Sequence, residues 1–215
     1  MKTLGVLGGM GPAATLDFLA KLQAATPAVR DQDHLRVLID INPQVPDRNT
    51  GEADPGPVLA DMARGLVAQG AQLLAIACNT AHAFADKVRS AGVPLIDMIE
   101  VACEAARDAG ARRVGVLGTP LALSLYTERL RAMGLEAVAP DADGQARFMT
   151  LLYRIKAGDL GPEVSKGMRT VADALGADAV IAGCTEVPLV IETLDVPFID
   201  AGLELAKRCV EVCRP

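Results

Sequence analysis

The chain has 215 residues, 51% hydrophobic and only 3% aromatic, with a formal net charge of −6. That length holds one large or two small domains, and so few aromatics leave the core to Ala, Leu, Val and Ile. The acidic balance argues against broad nucleic-acid or anionic-membrane binding, and no apolar run approaches the ~20 residues of a membrane span. A few local cations would still suffice for a small acidic ligand.

The first residues, MKTLGVLGGMG, carry one Lys and an apolar run that Gly8 and Gly9 interrupt too early for a signal peptide, so the expectation is a cytoplasmic protein. Strands are expected at Leu4–Leu7, Val37–Ile41, Leu73–Ala77, Leu95–Ile96, Val114–Leu117, Glu136–Val138, Val180–Ala182 and Phe198–Ile199. A helix opens at Pro12, a good first helical residue, with Leu16, Leu19, Ala20 and Leu22 expected on its buried face. Further helices are expected at Val58–Gln69, Ala81–Ser90, Val101–Ala109, Leu121–Met133, Gly144–Ala157, Pro162–Leu175 and Leu203–Val212. Alternating strands and helices with fully apolar strands predict an α/β fold, with parallel sheet flanked by helices on both faces.

The sequence also repeats itself. LGVLGG from Leu4 resembles VGVLGT from Val114, AQGAQLLAIACNT from Ala68 resembles ALGADAVIAGCTE from Ala174, and VPLIDM from Val93 resembles VPFIDA from Val196. Three matches in one order predict two similar, pseudo-symmetric α/β halves, 1–98 and 99–202, with the helix in 203–215 packing back on the first. Ligands in open α/β sheets sit beyond the C-terminal strand ends, so a site is expected in the cleft between the halves.

Cys78 and Cys184 both follow such a strand end. One cysteine there reads as a small buried hydrophobe; two in matching places point to chemistry. Stereoinversion at a carbon acid needs a base on one face and an acid on the other, and two opposed thiols supply both. Proton transfer by a positioned group contributes ~10²–10⁴-fold, and the rest must come from fixed donors that stabilise charge on the substrate carboxylate. Asn79, Thr80, Thr119 and Thr185 are the donors expected around that carboxylate. A free thiol is only a few per cent ionised at pH 7, so one pKa is expected to be lowered, with help from the backbone N–H groups that start the helices after each cysteine. Cys103, Cys209 and Cys213 fall in helical stretches without polar companions and read as core, and five cysteines without a CxxC pair suggest neither a disulfide framework nor a zinc site.

The pieces GVLGGMGPAAT, PDR at 46–48, ACNTAH around Cys78, GVLGT at 115–119 and GCTEVPL around Cys184 resemble the pyridoxal-phosphate-independent aspartate/glutamate racemases, most closely the aspartate racemase branch. They span nearly the whole chain. The resemblance implies two Rossmann-like halves with the site at their interface, catalytic Cys78 and Cys184, no cofactor and usually a homodimer; the cysteine spacing adds the expectation of no metal. It also implies that Arg48 and Lys156 meet the side-chain carboxylate of the substrate; an Arg fork grips by two parallel bonds, whereas Lys is a point charge. Met10 is expected to wall the pocket. Glu186 is expected at the substrate, where three roles stay open: taking the thiol proton, holding a loop, or binding the ammonium. His82, four residues past Cys78, reads as a packing residue that also stands where it could orient the cysteine loop. The segment Asn42–Pro57, rich in Pro, Gly and Asp and carrying Arg48, is expected to close over a ligand.

Rival readings accompany this one. GGMGPAA contains G-x-G-x-x-A (Gly9, Gly11, Ala14) between a strand and a helix, and Asp40 ends the next strand, as in an NAD-linked oxidoreductase; that reading explains neither the duplication nor the paired cysteines. A related isomerase on maleate or hydantoins, or a decarboxylase, keeps the fold, although Arg48 with Lys156 favours an acidic amino acid. A third is a non-catalytic amino-acid sensor. Aspartate and glutamate differ by one methylene, worth only ~1–3 kcal/mol of discrimination.

Overall fold

A computed structural model describes residues 1–214. The chain divides into two compact units, one of residues 1–98 together with 202–214, the other Ile99–Ala201.

The first unit contains strands β1 (Leu4–Gly8), β2 (Val37–Ile41), β3 (Leu73–Ile76) and β4 (Leu95–Ile96), paired in the order β2-β1-β3-β4, all parallel. The second contains β5 (Arg113–Leu117), β6 (Glu136–Val138), β7 (Ala179–Ala182) and β8 (Phe198–Asp200), in the order β6-β5-β7-β8, again all parallel. The two sheets therefore share one topology. Buried on every residue, β1, β3 and β7 read as the continuous apolar runs that helices on both faces require. The edge strand β2 departs from that expectation, leaving Ile39 and Ile41 exposed.

The helices are α1 (Pro12–Ala25), α2 (Gly56–Ala68), α3 (Ala85–Arg89), α4 (Met98–Asp108), α5 (Pro120–Ala132), α6 (Ala142–Lys156), α7 (Pro162–Asp173) and α8 (Ala201–Cys213). Pro stands at the start of α1, α5 and α7, where its missing N–H costs no helical bond. Helix α1 turns a different face inward from the one expected. Its buried residues are Ala14, Thr15, Phe18 and Leu22, while Leu16 is exposed. The physical cause is Thr15, whose hydroxyl accepts from Gly9 N–H and donates to Gly11 C=O, both at 2.9 Å, and so fixes the rotation of the helix at its first turn.

Gly9 has a φ of +92°, and a Cβ there would lie 2.5 Å from the Asn42 backbone. The glycine-rich turn is thus explained by the close approach of β1 and β2 and by the bond to Thr15, without a dinucleotide. On α8, Leu205, Ala206, Cys209 and Cys213 are buried at helical spacing, and Lys2 N–H donates to Cys213 C=O at 2.9 Å. Cys103, Cys209 and Cys213 are all buried, and burial pushes the thiols of Cys209 and Cys213 up.

Candidate active site

In the first unit, Cys78 stands two residues past the end of β3 and is 4% exposed. Met10, from the β1–α1 turn, and Val45 belong to the same buried cluster. The thiol lies 3.4 Å from the Thr80 hydroxyl, and Asn79 and Thr80 are buried beside it. A regular helix was expected over Ala81–Ser90. Instead, a 3₁₀ turn runs over Thr80–Phe84 and only α3 is α-helical. The departure has a cause in His82, which is buried and bonded at both ring nitrogens. Nδ1 lies 2.9 Å from Cys78 C=O, and Met98 N–H donates to Nε2 at 3.0 Å. A nitrogen that accepts from an N–H carries no proton, and one facing a carbonyl must carry it, so the ring is the neutral Nδ1–H tautomer. Burial depresses its pKa in the same sense, against the opposing pull of Asp97. His82 thus ties the cysteine turn to the first residue of α4, satisfying one of the N–H groups that a helix start leaves open.

Arg48 reaches the same strand ends. Its guanidinium donates to Pro46 C=O at 3.1 Å and Met10 C=O at 3.4 Å, and its buried Nε has no partner. Among the described residues it faces no carboxylate, which leaves its charge for an anionic ligand.

In the second unit, Cys184 stands two residues past β7 and has a charged environment. Its thiol donates to Glu186 Oε2 at 3.0 Å; Thr185 donates to the same oxygen at 3.3 Å; Lys156, the last residue of α6, donates to Glu186 Oε1 at 2.6 Å. Glu186 is 4% exposed, while the Lys156 side chain keeps 36% of its surface. The Cys184 thiol is pushed well up, first by burial and then by the Glu186 charge and its hydrogen bond, with Lys156 opposing. The resting form of this cysteine is therefore the protonated thiol, not a lowered one. The expected helix N-terminus after it is a 3₁₀ turn over Val187–Leu189, too short to supply a dipole that would offset the carboxylate.

Thr119 precedes α5 as its N-cap residue; it is 4% exposed, makes no side-chain cap, and its hydroxyl has no partner. Sequence reasoning missed Gln145, whose Nε2 donates to Gly118 C=O at 3.0 Å, next to Thr119. The signal was available in α6. Gln145 shares the stripe of Phe148 and Leu152 at i, i+3, i+7, and Lys156 continues it four residues on, so a polar residue opens an otherwise inward-facing row. The structure thus brings Met10 and Arg48 into contact and gathers Cys78, Asn79 and Thr80 in the first unit. In the second, Lys156, Cys184, Thr185 and Glu186 form one bonded network.

With this geometry in hand, the sequence matches the Asp/Glu/Hydantoin racemase family over residues 7–209. It is similar in structure to the aspartate racemase of Picrophilus torridus, with a TM-score of 0.89 and 29% identity over 99% of this chain and 94% of that one. It is 27% identical to the broad specificity amino-acid racemase RacX of Bacillus subtilis, covering 96% of each chain. A glutamate racemase of a Roseiflexus species is 31% identical over 172 residues, 72% of this chain and 61% of that protein. The duplicated parallel sheets and the match over nearly the whole sequence agree: the chain belongs to the Asp/Glu/Hydantoin racemase family and is an isomerase of the racemase type.

Proposed function

We propose that the protein interconverts the L and D forms of an acidic amino acid, aspartate first and glutamate second, by two thiols and without a cofactor. The carrying observation is the pair of cysteines at equivalent strand ends, each with its own polar partner: Thr80 for Cys78, Glu186 for Cys184. In one direction Cys78, as thiolate, removes the α-proton, and the Cys184 thiol delivers its proton to the other face of the planar carbon. In the reverse direction the roles exchange: Glu186 holds the Cys184 proton, the Cys184 thiolate removes the α-proton, and Cys78, now the protonated partner, delivers its proton to the opposite face. The charge that builds on the α-carboxylate is met by Asn79, Thr80 and Thr119, and by the Thr185 hydroxyl once it turns from Glu186; fixed donors aimed at developing charge carry most of such a rate enhancement.

The acidic side chain is read from two cations. Arg48 faces no carboxylate among the described residues, and the Lys156 ammonium stands beside the Cys184 network with 36% of its side chain exposed. Met10 supplies an apolar wall. The names of the similar proteins support an amino-acid substrate, aspartate for the Picrophilus enzyme and glutamate for the Roseiflexus one. In this reading the two compact units are the halves of one duplicated enzyme, and the working form is a homodimer in the cytoplasm. No helix among the described residues is long and apolar enough to cross a membrane. Residues 42–57 close over the bound ligand, so limited proteolysis of that loop should slow when aspartate is added.

The test is proton NMR of L-aspartate, then L-glutamate, in D₂O with protein free of metal and pyridoxal phosphate, with chiral analysis of the same samples. Loss of the α-proton signal together with the D-enantiomer is expected. No exchange with either compound would sink the assignment of an acidic amino-acid substrate and move the bet to another substrate of the family.

A further inference from the structure

The residues placed around the substrate are rich in donors. Arg48, Lys156 and Asn79 offer N–H groups, and Thr80 and Thr185 offer hydroxyls. An amino acid also brings an ammonium group, which needs acceptors. The one carboxylate in the set already has both oxygens engaged and its charge met by Lys156: Oε1 accepts from Lys156, and Oε2 from Cys184 and Thr185.

Two buried oxygens of the second unit have no partner: Thr119 Oγ1 and Gln145 Oε1. They flank one peptide unit. Gln145 Nε2 donates to Gly118 C=O at 3.0 Å, and Thr119 is the next residue. That bond also fixes the amide, since the opposite orientation would set oxygen against oxygen. Gly118 is the link to the thiol. It follows β5, and a Cβ on it would lie 3.3 Å from Gly183 C=O, the residue before Cys184. The close approach of these neighbouring strand ends puts Gln145, Thr119 and Cys184 at the same end of the sheet. A buried, oriented acceptor left open is an expensive arrangement for a folded chain unless something fills it.

We propose that Gln145 binds the α-ammonium of the substrate through Oε1, with the Thr119 hydroxyl beside it. The assignment rests on the racemase reading and deepens it, since it gives the amino acid its second anchor after the carboxylates.

The experiment pairs a variant with a ligand lacking the amine. Binding of L-aspartate and of succinate is measured calorimetrically for wild-type protein, Gln145→Met and Gln145→Glu, or with L-glutamate and glutarate if glutamate is the compound that exchanges. Thermal melts confirm that each variant folds. Gln145→Met should weaken the amino acid about 10- to 100-fold, the loss expected for a bond to a charged group, and leave the dicarboxylate within about twofold. Gln145→Glu should hold the amino acid better than Gln145→Met does, and weaken the dicarboxylate by charge repulsion. Equal weakening of both ligands by Gln145→Met, or of neither, overturns the assignment while wild-type exchange leaves the racemase reading standing. Wild-type protein that neither exchanges nor binds either amino acid overturns both.

Discussion

The two cysteine turns stand at equivalent strand ends and differ in chemistry. Cys78 sits among neutral groups: its thiol meets a hydroxyl, and its carbonyl is held by an uncharged imidazole. Cys184 sits in an ionic network, its thiol on a carboxylate that is itself held by an ammonium. The two units share one backbone plan, and the partners of the thiol differ between them. Under the two-thiol proposal that difference is tolerable, because the substrate is handed and its two faces do not present the same groups.

Removing either thiol should have the largest effect. Cys78→Ala and Cys184→Ala should each lose full racemisation in both directions, at least the ~10²–10⁴-fold assigned to a positioned proton-transfer group. Chiral chromatography from each enantiomer checks it, and a single variant running at the wild-type rate would end the two-thiol mechanism.

Next comes Glu186→Gln, which separates the turns by opposite signs. Removing the carboxylate charge lets the Cys184 thiol ionise more readily, so its alkylation by iodoacetamide should quicken. Racemisation should fall about 10²-fold, because the proton acceptor is gone. Alkylation of Cys78 should not change. Slower alkylation of Cys184 in this variant would show that the carboxylate does not set the thiol.

Smaller again are the cations. Arg48→Met and Lys156→Met should each raise KM for aspartate about 10- to 100-fold, as expected for a lost charged hydrogen bond. Of the two, Lys156→Met should also slow Cys184 alkylation, since Lys156, unlike Arg48, lowers that thiol. Identical behaviour of the two variants in both assays would contradict the division of roles.

The smallest effect concerns His82→Gln, read as stability against pH. The folded-state pKa of His82 is depressed by burial. Its contribution is therefore intact above the unfolded value near 6.5, and is lost as the pH falls from there through the folded pKa, because the unfolded chain takes up a proton that the folded chain refuses. Urea midpoints should fall with acidification below about pH 6.5, and the fall should be shallower in the variant. Gln carries both a donor and an acceptor group, so the cost at pH 8 should stay within the ~1–3 kcal/mol of an imperfectly replaced buried bond. Parallel pH profiles for the two proteins would remove His82 from the account.

The strands were legible in the sequence because β1, β3 and β7, and β5 after its first residue Arg113, are apolar runs whose spacing repeats. The fold class followed from the alternation with helices. Which face of α1 turns inward was not legible from apolar content: Leu16 and Leu19 outweigh Thr15 in hydrophobicity, but the two bonds of Thr15 decide the rotation. The turn after Cys78 was misread for a related reason. Its sequence has helical composition, whereas its conformation answers to a His82 bond with Met98, sixteen residues away. Glu186 could be placed near a thiol by position alone; its bond to Lys156 spans thirty residues and needed the fold. Gln145 was hidden because a lone polar residue on a helix reads as surface until its neighbours on the stripe are known to be buried.

Helix α8 closes the first unit: Lys2 N–H is bonded to Cys213 C=O, and the Arg214 guanidinium to Pro27 C=O. The second unit is a single uninterrupted segment, whereas the first waits for a helix encoded about a hundred residues after its own last strand. As the polypeptide leaves the ribosome, strands β1 to β4 emerge first but lack the face formed by Leu205, Ala206 and Cys209. The later segment is the one that can finish first. The order of completion during synthesis is thus the reverse of the order of the strands, and an early-emerging, incomplete unit is where aggregation during translation should concentrate.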